Sequence, residues 1–136
     1  MNDRYLYRAK RKNWRELPKE VWWVEGYYAF VDNHHYIYTG NLCNGGLYVV
    51  AERFEIDIDT LCACTGLKDK NGKLIWENDI VSGKMYLDHG QWGESVDDKR
   101  IVEWDDAYAR FVPCSYMKLD KYEVIGNVFD NPELLE

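Results

Sequence analysis

The stretch that most constrains the fold is Thr65–Val81, in which two tight turns separate three short apolar runs. The first turn, Lys68–Lys73, is polar and contains Asn71-Gly72, the pair that best tolerates a positive φ. The second turn is Glu77-Asn78-Asp79. Because the runs between the turns are too short for a helix, the stretch predicts three antiparallel strands that fold back on one another.

The same stretch resembles the signature of the YopX family, small proteins of bacteriophages and prophages. The family's usual form is a Thr-Gly-Leu-Lys-Asp-Lys-Asn-Gly run, which residues 65–72 reproduce, followed by an acidic-Gly-Asp-Ile-Val turn. Two more segments are similar to family motifs, Trp22–Tyr28 and Glu123–Leu135. Asn78 stands where the family usually has Gly, a mild departure because Asn also visits the left-handed region.

The resemblance covers most of the chain and implies an SH3-like, partly open barrel over residues 60–136. The spacing of about five short strands and tight turns there suits such a barrel, since closure protects the edges of a sheet. Residues 1–59, which begin with a basic segment, are expected to form an N-terminal β layer packed on the barrel. The fold class predicted is therefore all-β. The resemblance implies a phage setting but no biochemical activity.

Composition supports a β fold and argues against several functions. The chain has 6 Trp and 11 Tyr, and aromatic residues favour half-buried pleated surfaces. A net charge of −7 disfavours broad binding to the phosphates of nucleic acid. The sequence has no apolar run of bilayer length and no signal-peptide pattern, so we expect a cytoplasmic protein of a bacterial host that does not contact membrane. Its cysteines are then expected to be reduced.

The clearest alternation of side chains lies in Val21–Val31. Even-numbered positions from Trp22 through Tyr28 to Phe30 fall on one face, and Trp23 and Tyr27 fall on the other. Aromatic residues on both faces predict that neither face is fully solvated. A glycine inside such a strand, Gly26, indicates a bulge or close packing.

The remaining runs predict further strands separated by polar connections. Lys10–Lys19 is interpreted as a charged connection, Leu87–Lys99 as a long exposed loop, and Asp130–Glu136 as a helical turn or a docking tail. The other predicted strands are Tyr5–Ala9, His35–Thr39, Leu47–Ala51, Phe54–Asp59, Arg100–Trp104, Tyr108–Val112 and Tyr122–Val128.

The residues capable of metal or nucleophile chemistry do not form a recognisable motif. Cys62 and Cys64 share one face of a strand and could join His34 and His35, but a zinc site usually uses a longer spacing and a second ligand pair. We therefore interpret the two cysteines as core residues, in a core repacked relative to the family. A Cys–His nucleophile, drawn from these residues or from Cys43, Cys114 and His89, lacks any spacing that fixes proximity. The acidic pairs Asp57/Asp59, Asp97/Asp98 and Asp105/Asp106 are interpreted as strand-face and turn residues. We predict no catalytic site, no metal and no cofactor.

The surplus of aromatic residues favours a non-enzymatic interaction module, because Tyr, Trp and Arg are enriched at protein interfaces. The predicted partners are further copies of the chain, an unidentified host or phage protein, or both. The predicted interface residues are Trp22, Trp23, Tyr27, Tyr28, His89 and Trp92.

The alternative is a protein associated with nucleic acid through its basic N-terminus. Arg8, Arg11 and Arg15 would contact phosphates, while Tyr5, Tyr7 and Trp14 would provide stacking surfaces. The net negative charge makes this the less favoured hypothesis.

Overall fold

The computed structural model describes residues 5–42, 48–86, 95–107, 109–112 and 121–135. Within these residues the chain is all-β, as predicted, and its helical segments are short 3-10 turns. The chain divides into two compact units, Met1–Cys64 (the first unit) and Thr65–Glu136 (the second unit). The strands are β1 (Tyr7–Lys10), β2 (Trp23–Val31), β3 (His34–Leu42), β4 (Tyr48–Glu55), β5 (Cys62–Lys68), β6 (Leu74–Trp76), β7 (Asp79–Tyr86), β8 (Ser95–Ile101), β9 (Glu103–Asp105), β10 (Arg110–Val112) and β11 (Glu123–Asn127).

In the first unit the strands are antiparallel neighbours in the order β4-β3-β2-β1, and β1 also pairs with the first residues of β5. Ala9 pairs with Val24, and Tyr28 with Ile37, so these residues share one face of the sheet. That face carries the core of the unit, formed by Ala9, Val24, Ile37 and Ile56 with the partly buried Tyr7, Tyr28, Phe54 and Leu61.

Two of the strands predicted in this unit are wrong in their bounds. Leu47–Ala51 and Phe54–Asp59 were expected to be separate strands, but a single strand, β4, extends from Tyr48 to Glu55 and so joins the first to the start of the second. It ends there because the Asp57 carboxylate accepts a hydrogen bond from the Asp59 amide (3.1 Å) and starts a 3-10 turn at Ile58. The connection expected at Lys10–Lys19 likewise contains structure, the 3-10 turn Trp14–Glu16.

The bend at Asn71-Gly72 is confirmed, and it makes β5 and β6 neighbours. The Asp69 amide donates to Lys73 O (2.8 Å), and Gly72 has a φ of 80°, a region that favours glycine. Thr65 Oγ1 donates to Ile75 O (2.7 Å) across the two strands.

The third strand of the predicted meander leaves this sheet. β7 lies between β11 and β8 in a separate three-stranded sheet. The amide of Asn78, which has a φ of 71°, donates to Val102 O (2.7 Å), and the Val102 amide donates to Asp79 O (2.8 Å). Because the turn uses these main-chain groups with Val102, β7 is directed to β8 instead of to β6.

The second half of the predicted loop Leu87–Lys99 is also a strand. β8 begins at Ser95 and pairs with β7 from Tyr86↔Ser95 to Ile80↔Ile101. The polar side chains of this segment predicted a loop, but they have partners on the neighbouring strand, as Asp97 has in Lys84 (3.1 Å). Residues 87–94, with the predicted interface residues His89 and Trp92, lie outside the described residues.

The core of the second unit contains Ile75, Val81, Val102 and Tyr122, with Phe111 and Val124 packed against it. Its sheets, β11-β7-β8 and β10-β9, are open in the part of the chain that the structure describes. The ring of Tyr122 lies over Gly83, where an added Cβ would come within 2.7 Å of ring atoms. The Tyr122 hydroxyl donates to Asp98 (2.6 Å), which also accepts from Arg100 Nε (2.8 Å).

Burial of Tyr122 and its hydrogen bond to Asp98 raise the pKa of the phenol to about 12. Because the unfolded phenol ionises near 10, this contribution to stability is complete below pH 10 and is lost as pH rises toward 12. The loss is expected to reach about 2–3 kcal/mol at the alkaline limit.

Tyr122→Phe is expected to remove that loss. The difference in free energy of unfolding between wild type and Tyr122→Phe, measured by urea titration, should shrink as pH rises from 10 to 12. The other tyrosines are common to both proteins and cancel in the difference. A difference that stays constant with pH would contradict the assignment.

Candidate functional site: aromatic and cationic surfaces of the first unit

Three tryptophans surround one buried lysine. The Lys10 ammonium lies 3.9 Å from the ring centroid of Trp14, 4.6 Å from that of Trp22 and 5.6 Å from that of Trp23. Lys10 is the last residue of β1 and is only 2% exposed. We call Trp14, Trp22 and Trp23 the tryptophan cluster. Cation–π attraction in such a desolvated setting is worth about 2 kcal/mol.

Two rings of this cluster, those of Trp14 and Trp22, are held by their own hydrogen bonds. Trp14 Nε1 donates to Asp57 Oδ2 (3.2 Å), Trp22 Nε1 donates to Leu17 O (2.9 Å), and the two rings meet edge to face at 4.9 Å. Trp22 and Trp23, predicted as interface residues, are thus half-buried and enclose an internal cation. The sequence did not indicate this, because Trp14 and Lys10 reach the other two rings only after β1 pairs with β2.

The predicted nucleic-acid contacts also lie against aromatic rings. The guanidinium of Arg8 is 5.0 Å from the ring centroid of Trp23, that of Arg11 is 4.2 Å from Phe54, and that of Arg15 is 4.2 Å from Trp14. Each arginine therefore has one face on a ring of the protein itself. Arg8 and Arg11 are half-buried in this packing, whereas Arg15 is exposed.

The face of β2 and β3 opposite the core is rich in tyrosine. Tyr27 pairs with Tyr38, and Ala29 pairs with Tyr36, and we call these four residues the tyrosine face. All four are half-buried. The Arg53 guanidinium of β4 lies 4.3 Å from the ring centroid of Tyr36, and a hydrogen bond with Tyr38 raises the pKa of Arg53.

Tyr28, the fourth predicted interface residue, lies on the core side. Its hydroxyl is hydrogen-bonded to His35 Nδ1 (2.6 Å), and the two rings stack at 5.8 Å. Phe30 follows on the same face at the end of the strand, 58% exposed, and stacks on His35 at 4.7 Å. The predicted interface set is therefore divided between the tryptophan cluster and two opposite faces of the sheet.

An open cleft of about 420 Å³ lies where the chain after β1 meets the end of β4. Within it, Glu55 Oε2 accepts from Lys12 Nζ (3.1 Å) and from His34 Nδ1 (2.8 Å). These bonds, with that of His34 the larger, lower the pKa of Glu55. We call this open cleft the cationic cleft. Its lining residues are Arg11, Lys12, Asn13, Arg53, Phe54 and Glu55.

Sequence reasoning included the basic side of this cleft in the N-terminal segment but missed Arg53 and Glu55. The pairing of Arg11 with Ile56 brings the two sides together, and that pairing has no local sequence signal.

The residues considered for metal or nucleophile chemistry are used elsewhere. His34 is hydrogen-bonded to Glu55, and His35 is hydrogen-bonded to Tyr28. Cys62 is buried, and its thiol donates to Thr60 O (3.2 Å). Cys64 is 2% exposed, as expected of a core residue. In the described part of the chain, no group of three or more His, Cys, Asp or Glu side chains could hold a metal ion. Cys43, Cys114 and His89 lie outside it.

The signature segment in the second unit has a structural role. Asp69 is 5% exposed, and its carboxylate accepts from the amides of Asn71 (2.8 Å), Lys73 (2.9 Å) and Val124 (2.9 Å). One side chain therefore closes the turn and attaches β11 to it.

These features define a small all-β protein whose signature segment is a hydrogen-bonded turn. The family model described as YopX protein matches residues 7–136, so the chain belongs to the YopX family. No curated protein matches the chain. Among the described residues, no helix has the length and apolar character needed to cross a membrane.

Proposed function

We propose that this protein is a non-enzymatic interaction module of a phage or prophage that acts in the host cytoplasm and associates with further copies of itself. Membership of the YopX family supports the setting. The strands and turns of the second unit support an SH3-like, partly open arrangement of residues 60–136 as part of this proposal.

The tyrosine face is the observation that carries self-association. A sheet face directed away from its core is normally polar, yet here Tyr27, Tyr36 and Tyr38 lie together on it with Arg53. Tyr and Arg provide a large contact area and are among the residues that contribute most to binding energy at protein interfaces. The three tyrosines carry no charge, and Arg53 lies on the outermost strand, so the uncharged part of this face can meet its own copy in a two-fold dimer.

The distribution of charge along the chain favours association through the first unit, which carries the tyrosine face. The first unit holds 9 acidic and 8 basic residues, a net charge of −1, whereas the second holds 15 acidic and 9 basic residues, a net charge of −6. Repulsion between copies is therefore smallest when the first units meet.

Light scattering over a range of protein concentrations tests the proposal. Wild type is expected to show a mass above that of one chain, and the double variant Tyr27→Ser/Tyr36→Ser is expected to shift to the monomer, because it removes two aromatic contacts from the interface. Tyr5→Ser is the matched control, since Tyr5 is 66% exposed and lies outside the tyrosine face.

A wild-type protein that is monomeric at every concentration would overturn self-association. A mass reduced equally by Tyr5→Ser would show that the tyrosine face is not the interface. Circular dichroism of each variant confirms that a change of mass does not arise from unfolding.

The alternative of nucleic-acid contact through Arg8, Arg11 and Arg15 has less support, because Arg8 and Arg11 are half-buried against rings of the protein itself and the net charge is −7. It requires binding to DNA or RNA that weakens steeply with salt and is lost in Arg8→Ala/Arg11→Ala.

A further inference from the structure

The outer edge of β4 has main-chain groups directed away from the sheet. Within the described residues, β4 is the last strand of its sheet and has a strand partner, β3, on one side. At its end, Lys12 N donates to Glu55 O (3.0 Å) on the outer side, whereas Ile56 N donates to His35 O (3.0 Å) on the inner side. Because alternate residues of a strand direct their N–H and C=O groups to the same side, Arg53 directs its main chain outward, as Glu55 does.

The cationic cleft lies beside this edge. It combines the charges of Arg11, Lys12 and Arg53 with one carboxylate, Glu55, which already accepts from Lys12 and His34. Arg11 Nε is buried and has no hydrogen-bond partner among the described residues. The three cationic side chains of the cleft against its one carboxylate leave an excess of positive charge, which favours an anionic ligand.

We propose that the outer edge of β4 and the cationic cleft together bind an extended acidic segment of a partner protein. The segment adds a strand beyond β4, bonding to the outward main chain at Arg53, and places a carboxylate within reach of Arg11 and Arg53. Main-chain bonds of this kind supply affinity, and the charges in the cleft supply specificity. This site shares Arg53 with the margin of the tyrosine face but uses the main chain of β4 and the cleft, so binding of the segment does not depend on self-association.

Charge disfavours a symmetric pairing of the β4 edge with its own copy, since two edges that each carry Arg53 and the cationic cleft would repel one another. Nucleic acid is disfavoured because it has no strand backbone to complete the β4 ladder, and because the chain carries a net charge of −7. A peptide rich in Asp or Glu with β-forming residues between them uses both features.

The test uses a short end-blocked peptide of alternating Glu and Val as the ligand. A control peptide of the same length with Lys in place of Glu, a single-stranded oligonucleotide and inorganic phosphate are compared with it. Binding to the full chain is measured by calorimetry at low and at physiological salt. The Glu–Val peptide is expected to bind, and the Lys–Val control peptide is not. The affinity for the Glu–Val peptide should fall as the salt concentration rises. Exchange of the Arg53 amide with solvent is expected to slow in the complex, because that amide becomes part of a ladder.

Two variants separate charge from strand addition. Arg11→Gln and Arg53→Gln should each weaken binding roughly tenfold, as expected for loss of one charge-assisted hydrogen bond. Arg53→Pro should weaken it further than Arg53→Gln, because proline also removes the outward amide, a change that edge strands tolerate. Lys84→Gln is the matched control, since Lys84 is exposed and pairs with Asp97 in the second unit.

The proposal is overturned if the Glu–Val peptide fails to bind, or if its affinity is unchanged in Arg11→Gln and Arg53→Gln. It is also overturned if the oligonucleotide or phosphate binds more tightly and responds to the same variants, or if the Arg53 amide exchanges at an unchanged rate in the complex. The exchange measurement uses wild type and is independent of the folding of any variant.

Discussion

Replacing Asp69 with alanine is expected to lower the free energy of unfolding of the second unit by about 3–5 kcal/mol. The Asp69 carboxylate is buried and accepts hydrogen bonds from the amides of Asn71, Lys73 and Val124. Each buried donor left without an acceptor costs about 1–3 kcal/mol, so loss of three acceptors at once exceeds the effect of an ordinary surface change.

Urea titration followed by hydrogen exchange at residues 121–127 measures this effect, because the Val124 bond attaches β11 to the turn. Asp97→Ala is the matched control, since its side chain is 88% exposed and its pair with Lys84 is a surface one. The control should stay within about 0.5 kcal/mol of wild type. Equal losses in the two variants would contradict a structural role for Asp69.

The Asp69 carboxylate also makes the stability of the second unit depend on pH. Burial tends to raise the pKa of Asp69, but the three amide hydrogen bonds together outweigh it, and the pKa lies below the ordinary 3.8. A lowered pKa means that the contribution to stability is present above about pH 4 and is lost as pH falls further. Asp69→Asn should flatten the acid limb of the stability profile relative to wild type.

Gly26→Ala is expected to destabilise the first unit by about 2–4 kcal/mol. A Cβ at Gly26 would lie 2.2 Å from Tyr38 O and 2.9 Å from Tyr38 C, and these backbone atoms cannot rotate away. The strands β2 and β3 would have to separate, which disturbs the pairing that also forms the tyrosine face. Close packing, one of the two roles predicted for this glycine, is confirmed.

Gly72→Ala is the control for Gly26→Ala, because it adds the same methyl group in a different setting. A Cβ at Gly72 would meet no atom within 4 Å, and only the φ of 80° opposes it. We expect a cost of about 1 kcal/mol there. Urea unfolding of both variants, with exchange rates of the β2 and β3 amides, compares them. A larger loss at Gly72 would contradict the contact argument.

Local signals in the sequence predicted the turns and most strands, because Asn71-Gly72 and the alternation of Val21–Val31 depend on near neighbours. These local signals do not predict which strands, distant in sequence, pair with one another. The departure of β7 to a second sheet is decided by the hydrogen bonds of Asn78 and Asp79 with Val102, and the polar strand β8 depends on partners such as Lys84.

The candidate site shows the same limit more strongly. Aromatic and basic residues were recognised as unusual, yet their type does not reveal whether a ring faces solvent, a cation or the core. Trp22 and Trp23 enclose Lys10, Tyr28 lies toward the core, and Arg53 joins the cleft through a strand pairing. Contacts between side chains distant in sequence determined each of these outcomes.

The lysine among the three tryptophans has a consequence for recognition. Aromatic enclosures of this kind serve in other proteins as receptors for quaternary ammonium groups, such as choline or methylated lysine. Here the chain's own Lys10 occupies the enclosure, and its backbone amide is held by Thr60 Oγ1 (2.8 Å). An external cation could enter only by displacing the Lys10 side chain, so the enclosure packs the connection that carries Trp14 against β1 and has no room for a second cation while Lys10 occupies it.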